Sequence, residues 1–376
     1  DLNAGEGIGG SAALELASVR SLSADTTDGD IDLDNAANEA VTVTSLTTGV
    51  GSVSYDQTHA GDGLGLSVTR IGVGDGNITL TNSGDGGGDD ADADIALQDV
   101  DGDLIDGVMT VTAGSGFGAV TNGAGADTVD VYTLTIAAAA TVGADGDNDN
   151  AVGADWLDVD VTNLNITSAG ASYVDETDDI NLLSVTVTGE LGLDAGGQVT
   201  LTSVSAAGQN VHVTTAADVI DGGDAATDVT ASLLAIDAET GIGSGNALDT
   251  AVSFFVGETE SGNVQLTNTG GLTLSDNGVA VSVTDGVRII DLGAADAGAE
   301  IVIVASSPLT VSEAVTNNDA GDITLAAAGS AVGDDLTIGA AVGATGGNGS
   351  ISLYAGHDVL QTAGDVSAVG TGSITV

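Results

Sequence analysis

Two acidic runs place Asp at alternate positions, which is the spacing of ligands that converge on a metal ion. The residues are Asp99, Asp101, Asp103 and Asp106 in the first run, and Asp145, Asp147 and Asp149 in the second. Ca²⁺ takes six to eight oxygen ligands, and alternate Asp residues in a tight loop can surround one ion. Neither run has the closing Glu of an EF-hand loop. The sequence predicts calcium at both runs, with solvated acidic loops as the alternative.

A third candidate ligand is Asp127. Residues 122–129 fit one glycine-rich nonapeptide of the calcium β-roll type. A single copy is a weaker signal than a tandem array, because β-roll sites form between consecutive repeats. We therefore expect calcium as a cofactor, held by acidic loops.

Groups that could carry out catalysis are sparse. The three histidines, His59, His212 and His357, are far apart in sequence and none lies in a metal or triad motif. His212 belongs to an alternating Val-His-Val segment, which predicts that its side chain faces solvent. Asp is so abundant that no pair stands out as a glycosidase pair. Trp156, the only Trp, is expected to pack locally rather than to stack on a sugar. The sequence predicts a protein that is not an enzyme.

Short strands and turns must position these residues. Segments such as residues 41–44, 279–283 and 336–338 alternate apolar and small polar residues, and clusters of Gly, Asp and Asn separate such segments. A short helix is conceivable only in residues 11–18 and 216–238. The motif Gly-polar-β-branched-x-Leu/Val recurs at residues 76–80, 197–201, 321–325, 349–353 and 372–376. Ile323, Ile351 and Ile374 hold the same place in it, at the spacing of one coil of three short strands.

A longer repeat encloses the short one. Residues 2–10 match residues 236–244, and residues 29–35 match residues 262–268. Self-similarity at such periods is typical of solenoids, in which each unit buries its apolar face against its neighbours. We expect an all-β fold, a right-handed parallel β-helix forming an elongated rod. One continuous solenoid would span 1–376, with 1–90 and 235–330 related by the long repeat and 91–215 a degenerate middle with acidic loops.

The composition agrees with this fold and limits the partners. Of 376 residues, 42% are hydrophobic and only 2% aromatic, which suits thin layers of small aliphatic side chains. The net charge of −53 excludes binding to a nucleic-acid backbone, which requires basic residues. No apolar run approaches the length of a membrane span. The absence of Cys suits an exported bacterial chain. Divalent cations are the expected partners.

Parts of the sequence resemble a known family. The segments GIGSGNALDT (241–250) with GNVQLTNTG (262–270), and GDDLTI (333–338) with GSISLYAGHDV (349–359), resemble the repeat region of filamentous-haemagglutinin-like surface proteins. The resemblance covers mainly residues 216–376 and more weakly 1–82. It implies a right-handed parallel β-helix in a large secreted bacterial protein that serves as a fibre, adhesin or surface layer.

Three functions from different classes remain open. The first is a structural subunit or segment of an extracellular filament or surface layer, which binds other copies of itself head to tail. The second is the stalk of a large secreted adhesin, with cell-surface or glycan contacts. The third is a β-helical carbohydrate-active enzyme, against which the scarcity of aromatic residues argues. We expect the first, at the cell surface, because both ends of the sequence stop within the repeat pattern and lack polar caps.

Overall fold

The computed structural model describes residues 1–58, 65–83, 93–114, 118–123, 129–144, 155–223, 225–283, 286–290 and 298–376. Over these residues the protein is all-β and mostly parallel, and it contains no helix. The predicted fold class is confirmed at that level. Residues 11–18 and 216–238 contain strands instead of a short helix, because their backbone groups bond to neighbouring strands.

The described residues form two compact units, one up to Leu191 and the other from Gly192 onward. The strands of the first unit are β1 (Leu2–Ala4), β2 (Leu14–Ala17), β3 (Ser21–Thr26), β4 (Ile31–Ala36), β5 (Val41–Thr48), β6 (Val53–Thr58), β7 (Leu66–Val73), β8 (Ile78–Asn82), β9 (Ile95–Asp101), β10 (Val108–Ala113), β11 (Val120–Asn122), β12 (Val129–Ala138), β13 (Leu157–Ser168), β14 (Ser172–Glu176) and β15 (Ile180–Val187).

Strand β16 (Leu191–Ala195) begins at the last residue of the first unit. The other strands of the second unit are β17 (Val199–Leu201), β18 (Val204–Thr215), β19 (Asp218–Asp221), β20 (Val229–Ala238), β21 (Gly241–Ile242), β22 (Leu248–Thr259), β23 (Val264–Asn268), β24 (Leu272–Leu274), β25 (Val287–Ile289), β26 (Ile301–Ala305), β27 (Leu309–Val311), β28 (Val315–Asn317), β29 (Ile323–Ala327), β30 (Leu336–Ile338), β31 (Val342–Ala344), β32 (Ile351–Ala355), β33 (Val359–Gln361), β34 (Val366–Ala368) and β35 (Ile374–Thr375).

Strands pair in parallel with strands a fixed number of places further along the chain. In the first unit the interval is mostly two, so that β4 pairs with β6 and β6 with β8. From β23 onward it is three, and β26, β29, β32 and β35 pair in sequence. Ile323, Ile351 and Ile374 stand in register, as the spacing of the short repeat predicts.

The core of each unit consists of small aliphatic side chains at alternate strand positions. In β4, β6 and β8 the residues Ile31, Val53 and Ile78 lie in register and are at most 2% exposed. The residues between them are mainly Thr, Ser and Asp, and these point outward. Side chains alternate between the two faces of a strand, which is why the period-two pattern separates core from surface.

Buried amides form a second kind of inward column. Asn35, Gln57 and Asn82 lie in register and are each no more than 1% exposed. The Asn35 Nδ2 group donates to Gln57 Oε1 at 3.0 Å, and Asn82 Nδ2 donates to the Asp94 carbonyl at 2.9 Å. These bonds offset the cost of placing polar groups in an apolar interior.

The two copies of the long repeat have the same local structure. The Asn35 amide bonds to the backbone of Val19, and the Asn268 amide bonds in the same way to the backbone of Val252, 16 residues earlier in each case. Ile8 pairs with Ile31 in the first copy, as Ile242 pairs with Val264 in the second. The matched residues therefore repeat a hydrogen-bonded structure as well as a composition.

The outer face of β20 and β22 is covered, which corrects the prediction for His212. Leu233, Ala235 and Val256 are buried there together with Val283, and Phe254, Val279 and Val281 pack against them. His212 lies in register beside Ala235 and is only 4% exposed. Alternation predicts the correct face of the strand, but the segment that includes residues 279–283 shields that face from solvent.

Two groups of strands leave apolar layers uncovered. Ile323 and Ile351 are at most 1% exposed, whereas Ile374, the next residue in the same column, is 47% exposed. Leu14 is 38% exposed, although Leu33, its partner one strand further in, is fully buried. Within the described part of the chain, β35 is in register with β32, and β2 with β4. Each of these two strands carries a partly exposed apolar side chain.

Candidate cation sites

The aspartates of the first predicted acidic run have different neighbours in the structure. Asp99 lies in β9 opposite Arg70 of β7 and forms an ion pair with it. Asp101 stands at the end of β9, in register with Asp130 of β12. Asp103 accepts a hydrogen bond from the Ile105 N–H at 2.9 Å.

Asp103 and the fully exposed Asp106 interact with each other. The hydrogen bond that a protonated Asp106 donates to Asp103, and then the charge of Asp103, raise the pKa of the Asp106 carboxyl. Calcium at Asp99, Asp101, Asp103 and Asp106 stays a prediction. The other predicted ligands, Asp127, Asp145, Asp147 and Asp149, lie outside the described residues.

Carboxylates converge at a different place in the first unit. Oxygen atoms of Asp160, Glu176 and Asp178 lie within 4.8 Å of one another, and we call these residues the acidic cluster. Asp160 projects outward from β13, and Glu176 ends β14, which pairs with β13 through Val159. The Glu176 carboxylate accepts hydrogen bonds from the Val161 N–H at 3.1 Å and the Asp178 N–H at 3.3 Å.

The acidic cluster continues into a column of stacked carboxylates. Asp101, Asp130 and Asp160 occupy the same register position in β9, β12 and β13, and we call them the acidic column. Neighbouring strands are about 4.8 Å apart, so each carboxylate has a like charge on the adjacent strand. The Asp130 Oδ1 atom is buried and has no hydrogen-bond partner among the described residues.

Burial and like charges together disfavour ionisation at these residues. Glu176 is 1% exposed. Burial, assisted by the charges of Asp160 and Asp178, raises its pKa to about 8 despite the two backbone hydrogen bonds. Burial and then the neighbouring carboxylates also raise the pKa of Asp130 and of Asp160. Binding of a proton or of an external cation would relieve the repulsion between these carboxylates.

The donors of the acidic cluster fit calcium better than a transition metal. All of them are carboxylate oxygens, and they lie within 4.8 Å of one another, which is about twice the Ca²⁺–O distance of about 2.3–2.6 Å. One ion between them can therefore contact all three carboxylates. Three carboxylates supply part of the required shell, and water and backbone carbonyls can supply the rest. Zinc prefers nitrogen and sulfur donors, which this cluster lacks.

Sequence reasoning missed this cluster because Asp160 and Glu176 belong to different strands. Asp160 and Glu176 are separated by a full strand and a turn, and only the parallel register brings them together. Asp130 and Asp160 do share an Asp-Val context in their strands, Val-Asp130-Val and Val-Asp160-Val. This shared Val-Asp-Val segment is the sequence signal for the acidic column, because aligning the two strands by it places Asp130 beside Asp160.

The described arginines are all paired with carboxylates elsewhere. Arg20 bonds to Glu39, and Arg70 bonds to Asp99. Arg288 of β25 bonds to Glu258 of β22, with Nε at 3.0 Å from the Glu258 Oε2 atom. None of the three arginines, which all lie among the described residues, is therefore paired with the acidic cluster.

The two remaining residues of interest from the sequence are Trp156 and His357. Trp156 is 2% exposed and packs on Tyr173 with ring centroids 5.4 Å apart, so it offers no sugar platform. His357 lies beside Asp335 and Asp358 in the second unit. His59 is outside the described residues.

Searches against protein family models, curated proteins and solved structures find no match. The resemblance to filamentous-haemagglutinin-like proteins therefore stays a prediction. Among the described residues there is no helix with the length and apolar character that crossing a membrane requires.

Proposed function

We propose that the protein is a structural segment of an extracellular filament or surface layer and that it is not an enzyme. Its proposed fold is a right-handed parallel β-solenoid. Parallel pairing at a fixed strand interval is what successive coils of a solenoid produce. A solenoid can extend by adding coils at either edge, since every coil offers the same hydrogen-bonding groups to the next.

The observation that carries this proposal is the change in exposure along one column of residues. Ile323 and Ile351 are each in register with a residue of a later strand and are buried, whereas Ile374, the next residue of the column, is 47% exposed. Burying one Ile is worth about 1.5–3 kcal/mol. Val359 and Val366, which pair with the fully buried Leu336 and Val342, are also partly exposed. Stacking a further coil on this edge would bury all three.

The occupant of the edge is proposed to be a second copy of the chain, placed head to tail. The N-terminal edge exposes Leu14 in a matching way, so that two different surfaces can meet. Such a heterologous contact does not close on itself and yields filaments. Because like charges on both copies repel, assembly should require screening or bridging cations.

Electron microscopy of the purified chain, with light scattering, tests this proposal. We expect filaments in the parent and monomers in the double variant Ile374→Asp and Val376→Asp, which places charge in the junction. Val332→Asp is the matched control, because Val332 is 91% exposed and lies in the turn between β29 and β30 rather than in β35. If the parent, the double variant and the control variant all formed filaments equally well, the proposed head-to-tail junction would be wrong. A parent that stays monomeric in salt and calcium would favour the adhesin stalk.

Calcium is proposed to bind the acidic cluster and to stabilise the folded chain. A ligand that binds only the folded state adds roughly 2.7 kcal/mol at a concentration of about 100 Kd. Melting curves in EGTA, in calcium and in potassium chloride of equal ionic strength separate specific binding from general screening. Equal melting temperatures in EGTA and in calcium would rule out the site. The Asp160→Asn variant should lose the increase in melting temperature that calcium gives the parent beyond that given by potassium chloride.

A further inference from the structure

A histidine and two carboxylates meet in the second unit at the starts of two paired strands. Asp335 immediately precedes β30 and Asp358 immediately precedes β33, and Leu336 is in register with Val359. The His357 Nδ1 atom lies 2.7 Å from Asp335 Oδ1 and 3.3 Å from Asp358 Oδ2. The nearest ligand atoms of the three side chains are within 4.8 Å of one another.

The backbone at these residues is fixed by the parallel pairing. The Leu309 N–H donates to the Asp335 carbonyl at 3.0 Å, and the Leu336 N–H donates to the Asp358 carbonyl at 2.9 Å. The Asp358 N–H also donates to Asp335 Oδ1 at 3.2 Å. The three ligands are thus attached to strand ends, which restricts their separation more than a free loop would.

We propose that Asp335, His357 and Asp358 form a binding site for a divalent transition-metal ion of the zinc class. Metal–ligand distances near 2.1 Å place two ligand atoms roughly 3.0–3.4 Å apart for octahedral to tetrahedral angles. The separation of 3.3 Å between Nδ1 and Asp358 Oδ2 falls within that span, and the separation of 2.7 Å between Nδ1 and Asp335 Oδ1 is shorter, so Asp335 must move a few tenths of an ångström to admit the ion. Side-chain exposures of 22% for Asp335 and 35% for His357 leave space for water as further ligands.

The imidazole distinguishes this site from the acidic cluster. Nitrogen donors favour zinc, cobalt, nickel and copper, whereas calcium selects oxygen ligands. The chain would then bind two classes of cation at two separate places, with calcium at the acidic cluster and a zinc-class ion at His357. The competing interpretation is a simple ion pair, in which a protonated His357 donates to Asp335 and no metal binds.

Zinc titration followed through the imidazole NMR signals tests the site. The chain has three histidines, so the signals lost in His357→Gln identify those of His357. Excess calcium is present throughout to occupy oxygen-only sites. We expect zinc to shift the His357 signals before those of the other two histidines. Zinc affinity should fall at least about tenfold in His357→Gln and in Asp358→Asn.

Asp365→Asn is the matched control for Asp358→Asn. Asp365 also immediately precedes a strand, β34, and its carbonyl also accepts a strand hydrogen bond, from the Val342 N–H at 2.9 Å. The control variant removes the same charge, so it should leave zinc affinity unchanged. Unmoved His357 signals in the parent, or equal losses in the two Asn variants, would overturn the metal site and leave the ion pair. Unchanged circular dichroism checks that each variant is folded.

Discussion

Replacing Glu176 with Gln should stabilise the protein at alkaline pH, because the fold holds this side chain in its neutral form. Glu176 is 1% exposed, and its pKa is raised from 4.5 to about 8. Between those two pH values the folded chain binds one more proton than the unfolded chain. The free energy of unfolding therefore falls as pH rises, by about 1.36 kcal/mol per pH unit.

Between pH 4.5 and about pH 8, ionisation of Glu176 lowers the free energy of unfolding by at most roughly 5 kcal/mol. The direction is opposite to that of an ordinary ion-paired carboxylate, whose folded pKa is lowered. Here the contribution is complete below pH 4.5 and is lost as pH passes through about 8. Gln keeps the size of the neutral carboxyl and cannot ionise, so the variant should lose this part of the pH dependence.

Denaturant unfolding from about pH 5 to pH 9 in EGTA measures the effect. The parent and Glu176→Gln should be similar at the acidic end, and the variant should be more stable by several kcal/mol at the alkaline end. Glu300→Gln, at an exposed position, is the control and should follow the parent. A variant no more stable than the parent at alkaline pH would refute this account of Glu176. Excess calcium should reduce the parent's loss, because a bound ion stabilises the ionised cluster.

Two further substitutions test how the strands stack. Gly262→Ala should cost about 3 kcal/mol or more, because Gly262 has φ +80° and an added Cβ would lie 1.8 Å from the Thr240 carbonyl oxygen. Gly278→Ala, with φ +76° and open space, should cost only about 1 kcal/mol in the same thermal melts, and equal losses would contradict the close approach. Asn268→Ala should cost about 2–4 kcal/mol in denaturant unfolding, since it leaves the buried Val252 N–H and carbonyl without their amide partner. A loss below about 1 kcal/mol would show that water replaces it.

The strands could be predicted from the sequence because their signal is local. Alternation of Ile or Leu with Thr or Ser marks β29 and β32 without any knowledge of their neighbours. The short repeat then predicts the register, since Ile323, Ile351 and Ile374 must occupy equivalent positions in successive coils. The parallel, all-β fold is confirmed, whereas the hand of the coil and the one-domain organisation stay predictions.

The candidate sites could not be predicted in the same way, because they depend on which outward side chains become neighbours across strands. Asp99 belongs to a run with metal-ligand spacing, yet its partner is Arg70, 29 residues away in sequence and adjacent in register. Glu176 and Asp178 do stand at alternate positions in the acidic run 175–179, but their partner Asp160 belongs to another strand. His212 lies on the face that alternation predicts, but residues far along the chain cover that face.

The placement of the few basic residues gives physical reason to expect external cations. Two of the three arginines bond to an acidic residue at the paired position of a neighbouring strand, Arg70 to Asp99 and Arg288 to Glu258. Burial, and then the charges of Glu258 and Glu260, raise the pKa of Asp237, and the nearby Arg288 guanidinium offsets part of that rise. The acidic column of Asp101, Asp130 and Asp160 has the same stacked geometry without an arginine at its end. Stacked carboxylates without an internal cation must either take up protons or bind ions from solution, so this column is where we expect the protein's stability to depend most on both.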